Sequence, residues 1–157
     1  MKTIKVKKGE IIQHQGDSKP KIYTVEEGLL RSYTIDEKGK EHIFMFAPKN
    51  WIIADATLEN NPSELFIDAL EDSIVLVDER ENITLNELSV TPLLKRIAVL
   101  QKRTIMLMSS SAIVRYEHFL ETYPDIVQRV PQKMIASYLG ITPEALSKVK
   151  GIKARTK

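Results

Sequence analysis

The residues best placed to do chemistry lie in one run, Pro131-Gln-Lys-Met-Ile-Ala-Ser-Tyr-Leu-Gly140-Ile-Thr-Pro-Glu-Ala-Leu-Ser-Lys-Val149. Pro131 opens a helix with Ile135, Ala136 and Leu139 on one face. Gly140 supplies the left-handed residue that stops it. Thr142 is then an N-cap, Pro143 occupies the first helical position, and Glu144 lies near the positive helix end. Leu146 and Val149 form the buried face of the second helix, Ala136 is small where two helices cross, and Ile141 plugs the corner. The spacing predicts a helix-turn-helix whose second helix is presented to a duplex groove, although an ordinary pair of crossed helices can carry the same caps. Charge points the same way. Residues 128–157 carry seven Lys/Arg against one acid, Glu144, a local charge of +6, while residues 1–127 hold 16 basic and 20 acidic side chains, a charge of −4. A basic end on an acidic body suits attraction to nucleic-acid phosphates; the alternative is a solvated tail.

Other chemistries are poorly supplied. With no Cys, disulfides, thiolate metal sites and Cys nucleophiles are excluded. His14, His42 and His118 are scattered, and none has the second His two or four residues on that a metal-binding β-fold enzyme would use. No nucleophile elbow, P-loop or dinucleotide fingerprint occurs, so the expectation is a non-enzyme with no cofactor and no metal. No apolar run approaches the roughly 20 residues that span a bilayer, and the N-terminal MKTIKVKKGE lacks the apolar core of a signal peptide. The expectation is a cytoplasmic protein with no membrane partner.

Two kinds of element must position this run. From Lys2 to about Glu79 the chain alternates short apolar stretches with turn signals: Ile4/Val6, Ile11–Ile12, Ile22–Val25, Leu29–Ile35, His42–Phe46, Leu65–Ala69 and Ile74–Val77. Such strands predict a sandwich, jelly roll or small barrel, with Gly9, Gly16, Gly28 and Gly39 at positive φ in the turns. Beyond Asn82 the texture becomes helical. Thr84 is placed to cap a short helix, and Ser89 or Thr91 before Pro92 to start a long one, with Pro92 at its first position. From there to Glu121 no Gly or Pro intervenes. Leu93, Ile97, Leu100, Leu107 and Val114 recur at heptad-like spacing, with Thr104 and Ser111 as polar breaks. One helix of about 28 residues would reach about 42 Å, more than a small domain needs, so the stripe is read as a dimer interface rather than only a domain face. Tyr123-Pro124 ends it.

This order of parts resembles the Crp/Fnr family of bacterial transcription regulators: glycine-punctuated β-roll, long dimer helix and C-terminal helix-turn-helix. The turn Leu139-Gly-Ile-Thr-Pro-Glu144 is similar to that of Bacteroidetes-like members, and the Asp36–Glu41 hairpin with Ala69-Leu-Glu-Asp72 fits the N-terminal domain. The resemblance implies an α+β chain: a β-roll or jelly roll sensor resembling a cyclic-nucleotide-binding domain over 1–83, a dimerisation helix and linker over 84–122, and a helix-turn-helix over 123–157. Gly151 is expected to end the last helix, leaving too little chain for a full wing.

The same resemblance implies residue roles. Glu144 and Lys148 would read bases, a carboxylate accepting from cytosine N4 and an ammonium donating to guanine O6 or N7. Ser147 lies beside them, Gln132, Lys133 and Thr142 would meet phosphates, and Lys150 would add salt-sensitive attraction. In the sensor, Ile53, Ala54, Asp55, Glu64 and Leu65 stand where the family's phosphate cassette places Gly-Glu and then an Arg with a small residue. Without that Arg, control by cyclic AMP is not expected. The implied partners are double-stranded DNA, a second copy of the chain, RNA polymerase as a candidate, and a small-molecule effector of unspecified identity. Alternative readings are a ligand-binding or protein-interaction module with a degenerate DNA-binding domain and, more weakly, a β-roll metalloenzyme.

Overall fold

The computed structural model describes residues 1–56, 61–79 and 90–155, with the side chains of 90–93 left aside. Thr84, Ser89 and the expected boundary at 83–84 lie outside the described residues. The chain divides into two compact units, Met1–Asn86 and Glu87–Lys157, so the helices after residue 90 group with the C-terminal ones.

In the first unit the described residues form β1 (Lys2–Val6), β2 (Ile11–Gln13), β3 (Lys21–Glu27), β4 (Leu29–Ile35), β5 (Glu41–Pro48), β6 (Ile52–Ala54), β7 (Phe66–Ala69) and β8 (Ser73–Glu79). They make two antiparallel four-stranded sheets, β1-β8-β3-β6 and β2-β7-β4-β5. Apolar residues two apart point between the sheets: Tyr23 and Val25, Met45 and Ala47, Ile67 and Ala69 close the core with Val6, Leu30, Ile53 and Val75. The expected sandwich is present, and Gly9, Gly16, Gly28 and Gly39 all adopt positive φ. At Gly28 the constraint is also spatial, because a Cβ there would lie 2.7 Å from the Asp72 carbonyl and 2.8 Å from Ser73 Cα. The strand β6 has no counterpart in the sequence reading. It is three residues long and is held by pairing with β3.

One charged cluster is built into the second sheet. Arg31, 5% exposed, donates from Nε and Nη2 to the two carboxylate oxygens of Asp68 at 2.8 and 2.9 Å, across the β4–β7 pairing. Its remaining arm reaches Glu41, and its guanidinium lies 4.1 Å from the Tyr33 ring centroid. Such a bidentate pair is tolerable out of water only while both partners are present.

In the second unit the described helices are α1 (Val90–Ser109), α2 (Ala112–Thr122), α3 (Gln132–Leu139) and α4 (Pro143–Arg155). The expected single helix to Glu121 is therefore two. Three serines, 109–111, sit at the break. Ser109 Oγ donates back to the Ile105 carbonyl at 2.7 Å, and Ser111 adopts an extended conformation (φ −66°, ψ 161°) as the N-cap of α2. Serines compete locally for backbone partners, and the apolar periodicity that runs across them does not register it. At 20 residues, α1 spans about 30 Å rather than about 42 Å. The expectation for Gly151 also fails: α4 runs through it to Arg155, and Ile152–Arg155 are helical. None of the described helices is long and apolar enough to cross a membrane.

Replacing Asp68 by Ala leaves the buried Arg31 charge half-compensated. We expect a loss of about 3 kcal/mol in urea-unfolding stability, against a change within about 0.5 kcal/mol for a substitution at exposed Lys38.

Candidate nucleic-acid interface

The corner between α3 and α4 forms as its local sequence dictates. Gly140 takes φ 63°, ψ 34°, its N–H donating to Ser137 O at 3.1 Å and the Ile141 N–H to Ala136 O at 3.0 Å. These two bonds satisfy carbonyls that the end of α3 would otherwise leave unpaired. A Cβ at Gly140 would meet only ordinary contacts, at 3.5 Å from Arg115 and Leu107 side-chain atoms, so the left-handed backbone is what requires glycine. Thr142 Oγ1 accepts from Ala145 N at 3.2 Å, capping α4. Beneath the corner Ile135, Ala136, Leu139, Leu146 and Val149 are buried. Phe119, Tyr123 and Tyr138 pack with ring centroids 5.3 to 5.5 Å apart.

The outer face follows from that burial. Glu144, Ser147 and Lys148 are exposed and fall one turn apart on α4, so they share one face. Gln132 and Lys133 are exposed in the first turn of α3, and Thr142 is exposed at the start of α4. Lys150 is half-buried and, six residues after Glu144, lies off that face. Glu144 is coupled to its own helix end: its backbone N–H and the Thr142 hydroxyl hold its carboxyl below the usual carboxylate range. It is thus ionised at neutral pH. Because its folded pKa is depressed, its contribution to stability is present above the unfolded pKa and is lost as pH falls through the lowered value.

Arg115 was not singled out by the sequence. From the first turn of α2 its Nη2 donates to Leu107 O at 2.7 Å and its Nε to Ser110 O at 3.0 Å, at the end of α1. Its Nη1 donates to Leu139 O at 3.1 Å, at the end of α3. One guanidinium thus serves two helix C-termini, whose free carbonyls and partial negative charge favour a cation. Its partners are main-chain carbonyls, which leave no mark in the sequence. Arg103 acts nearby, its guanidinium 4.1 Å from the Tyr138 ring centroid.

The expected interface stripe is not one face. Leu93 lies in α1 with its side chain outside the described residues. Ile97 and Val114 are 59% and 46% exposed, but Val114 lies on α2, beyond the break. Leu100 and Leu107 are half-buried, and Leu107 Cδ2 sits against the Gly140 turn of its own chain. Among the apolar side chains that α1 exposes, Ile97 shares a face with Leu94, Ile105 and Met108, spaced by three or four residues or their sums, while Val99 lies off that face.

In the β unit Ile53 is core, while Ala54 and Leu65 are half-buried. Asp55, 4% exposed, accepts from the Glu64 and Leu65 backbone N–H groups at 2.7 and 2.8 Å through one oxygen, Oδ2. The chain's own carboxylate thus satisfies that amide pair. A cavity of about 650 Å³ opens elsewhere, between β1, β2, β3 and β8, lined among others by Ile4, Ile12, Gln13, Tyr23 and Val77; none of the five predicted pocket residues lines it. Among the described residues no group of three or more His, Asp or Glu is placed to hold a metal ion.

Comparison with known proteins fixes the family. The model for the cyclic nucleotide-binding domain matches residues 3–84. The chain belongs to the cyclic nucleotide-binding domain family. Over 70 residues it is 34% identical to the regulatory protein HlyX of Actinobacillus pleuropneumoniae, a match covering 45% of this chain and 29% of HlyX. Among solved structures it is similar to FixK2 from Bradyrhizobium japonicum, with a TM-score of 0.78, 21% identity, and 99% of this chain and 85% of that one covered. It is also similar to TTHA1359 from Thermus thermophilus, described as a CRP/FNR-family transcriptional regulator, with a TM-score of 0.75, 21% identity and coverage of 99% and 87%. The fold is thus that of CRP/FNR-family regulators. In this member the Asp55 carboxylate occupies the Glu64–Leu65 amide pair, and the Glu64 side chain alongside is exposed.

Replacing Arg115 by Ala strands carbonyls at the ends of α1 and α3. We expect a loss of about 2 kcal/mol in urea unfolding, with Arg115→Lys recovering less than half because an ammonium cannot fork to both ends. Replacing Gly140 by Ala keeps the contacts but strains the backbone, and is expected to lower stability by about 1–2 kcal/mol in the same measurement.

Proposed function

We propose that the chain is a homodimeric DNA-binding transcription regulator of the CRP/FNR type that reads a pseudo-palindromic site with α4 and is not controlled by cyclic AMP. The observation that carries this reading is the corner at Gly140, which buries Leu146 and Val149 and leaves Glu144, Ser147 and Lys148 together on an exposed helix face. In this reading Glu144 accepts from a cytosine N4 amine, giving up its local bonds to do so. Lys148 donates to guanine, while Gln132, Lys133 and Thr142 meet the flanking phosphates. Lys150, off that face, contributes charge rather than a base contact.

Dimerisation through the apolar face of α1, with Leu94, Ile97, Ile105 and Met108 meeting their copies, would set two recognition helices about one helical turn of DNA apart. RNA polymerase is a partner that a regulator bound in this way would present itself to. Occupation of the amide pair by Asp55 supports the absence of cyclic-nucleotide control, and any small-molecule effector is of another kind.

Fluorescence anisotropy with duplex DNA tests the reading. We expect binding that weakens steeply with salt, with log K falling linearly in log salt. Replacing Glu144 and Lys148 together by Ala should abolish sequence preference with the fold intact by circular dichroism. A double variant that keeps wild-type affinity and wild-type sequence preference would refute the assignment. Cyclic AMP at millimolar concentration is expected to leave the thermal midpoint unchanged; a clear rise would show that a nucleotide displaces Asp55.

A further inference from the structure

Among the described residues no contact requires glycine at position 151. It lies inside α4 with helical rather than left-handed backbone, and an added Cβ would meet nothing within 4 Å. Glycine there is unfavourable relative to alanine in a helix interior, and no turn, cap or tight contact compensates.

Its position shows what lies around it. Gly151 follows Ser147 by four residues and Lys148 by three, and precedes Arg155 by four, so all four share the exposed face that begins at Glu144. The face therefore carries bare backbone at Gly151, one turn after Lys148 and one turn before Arg155, all three exposed. Lys153, by contrast, is turned to Glu117 at 3.1 Å and takes no part. An occupant of this bare stretch must be anionic, narrow and able to approach a helix backbone closely.

We propose that Gly151 is the point of closest approach between α4 and the DNA backbone, where one phosphodiester seats between Lys148 and Arg155 as the helix leaves the groove. This rests on the DNA-binding reading and adds to it a phosphate contact set by shape, which no side chain at position 151 would permit. A Cβ there would hold the phosphate away from both cations, and a longer side chain would exclude it.

The test uses the full-length chain with Gly151→Ala and Gly151→Leu, measuring thermal midpoint, duplex Kd and the salt slope of binding. For Gly151→Ala we expect the midpoint to rise by about 2–4 °C, as relief of a helical glycine gives in a chain of this size, while duplex affinity falls several-fold. For Gly151→Leu we expect a larger loss on every duplex sequence, with the salt slope reduced by about one, as removal of one phosphate contact gives. A higher midpoint with wild-type affinity and slope would overturn the phosphate contact and leave the DNA-binding reading standing. A lower midpoint would also overturn it, because Gly151 would then be serving the fold. If the wild-type chain shows no salt-dependent duplex binding, the DNA-binding reading itself fails and the phosphate contact with it.

Discussion

The geometry of the helical unit depends on how the ends of α1 and α3 dispose of their unpaired carbonyls. Gly140 solves half of the problem at α3 by turning left-handed, which returns two N–H groups to the last turn. Arg115 adds to this, with one guanidinium donating to Leu107 and Ser110 on one side and Leu139 on the other, while Arg103 Nη2 donates to Tyr138 O at 3.4 Å. Because the Arg115 guanidinium is planar and its donors are fixed relative to one another, it ties the two helix ends to one geometry. The exposed face of α4 is held in place by that junction and by the buried Leu146 and Val149 beneath it.

The same economy of backbone partners appears in the β unit, with an opposite consequence. There a carboxylate, Asp55, takes two adjacent N–H groups that could otherwise receive an external anion. The fold of a ligand-binding family is thus retained while the amide pair is satisfied from within. A buried carboxylate is stable in such a place because it is hydrogen-bonded.

The features readable from the sequence were those fixed by neighbours in the chain. Gly140, Thr142 and Pro143 form a start-and-stop signal whose physics spans only a few residues, and each adopts the expected role. The turn glycines of the sandwich were readable for the same reason. The break at Ser110–Ser111 was not, because apolar spacing continues across it and only the serines' own hydrogen bonding marks it. Gly151 was misread because a glycine late in a helix resembles a stop signal, whereas here helical backbone continues through it. The strand β6, the roles of Asp55 and Arg115, and the packing of half-buried Leu107 against Gly140 depend on partners distant in the chain. The spacing of apolar residues on α1 could not say which of two adjacent stripes faces outward, since tertiary packing decides that.

Selection of bound duplexes from a random pool by the full-length protein tests the central claim most directly, because it reads binding, symmetry and spacing at once. The account predicts enrichment of an inverted repeat whose half-sites lie about one helical turn, roughly 10 base pairs, apart. Recovery of the starting pool unchanged, or of a single asymmetric half-site with no partner repeat, would contradict it.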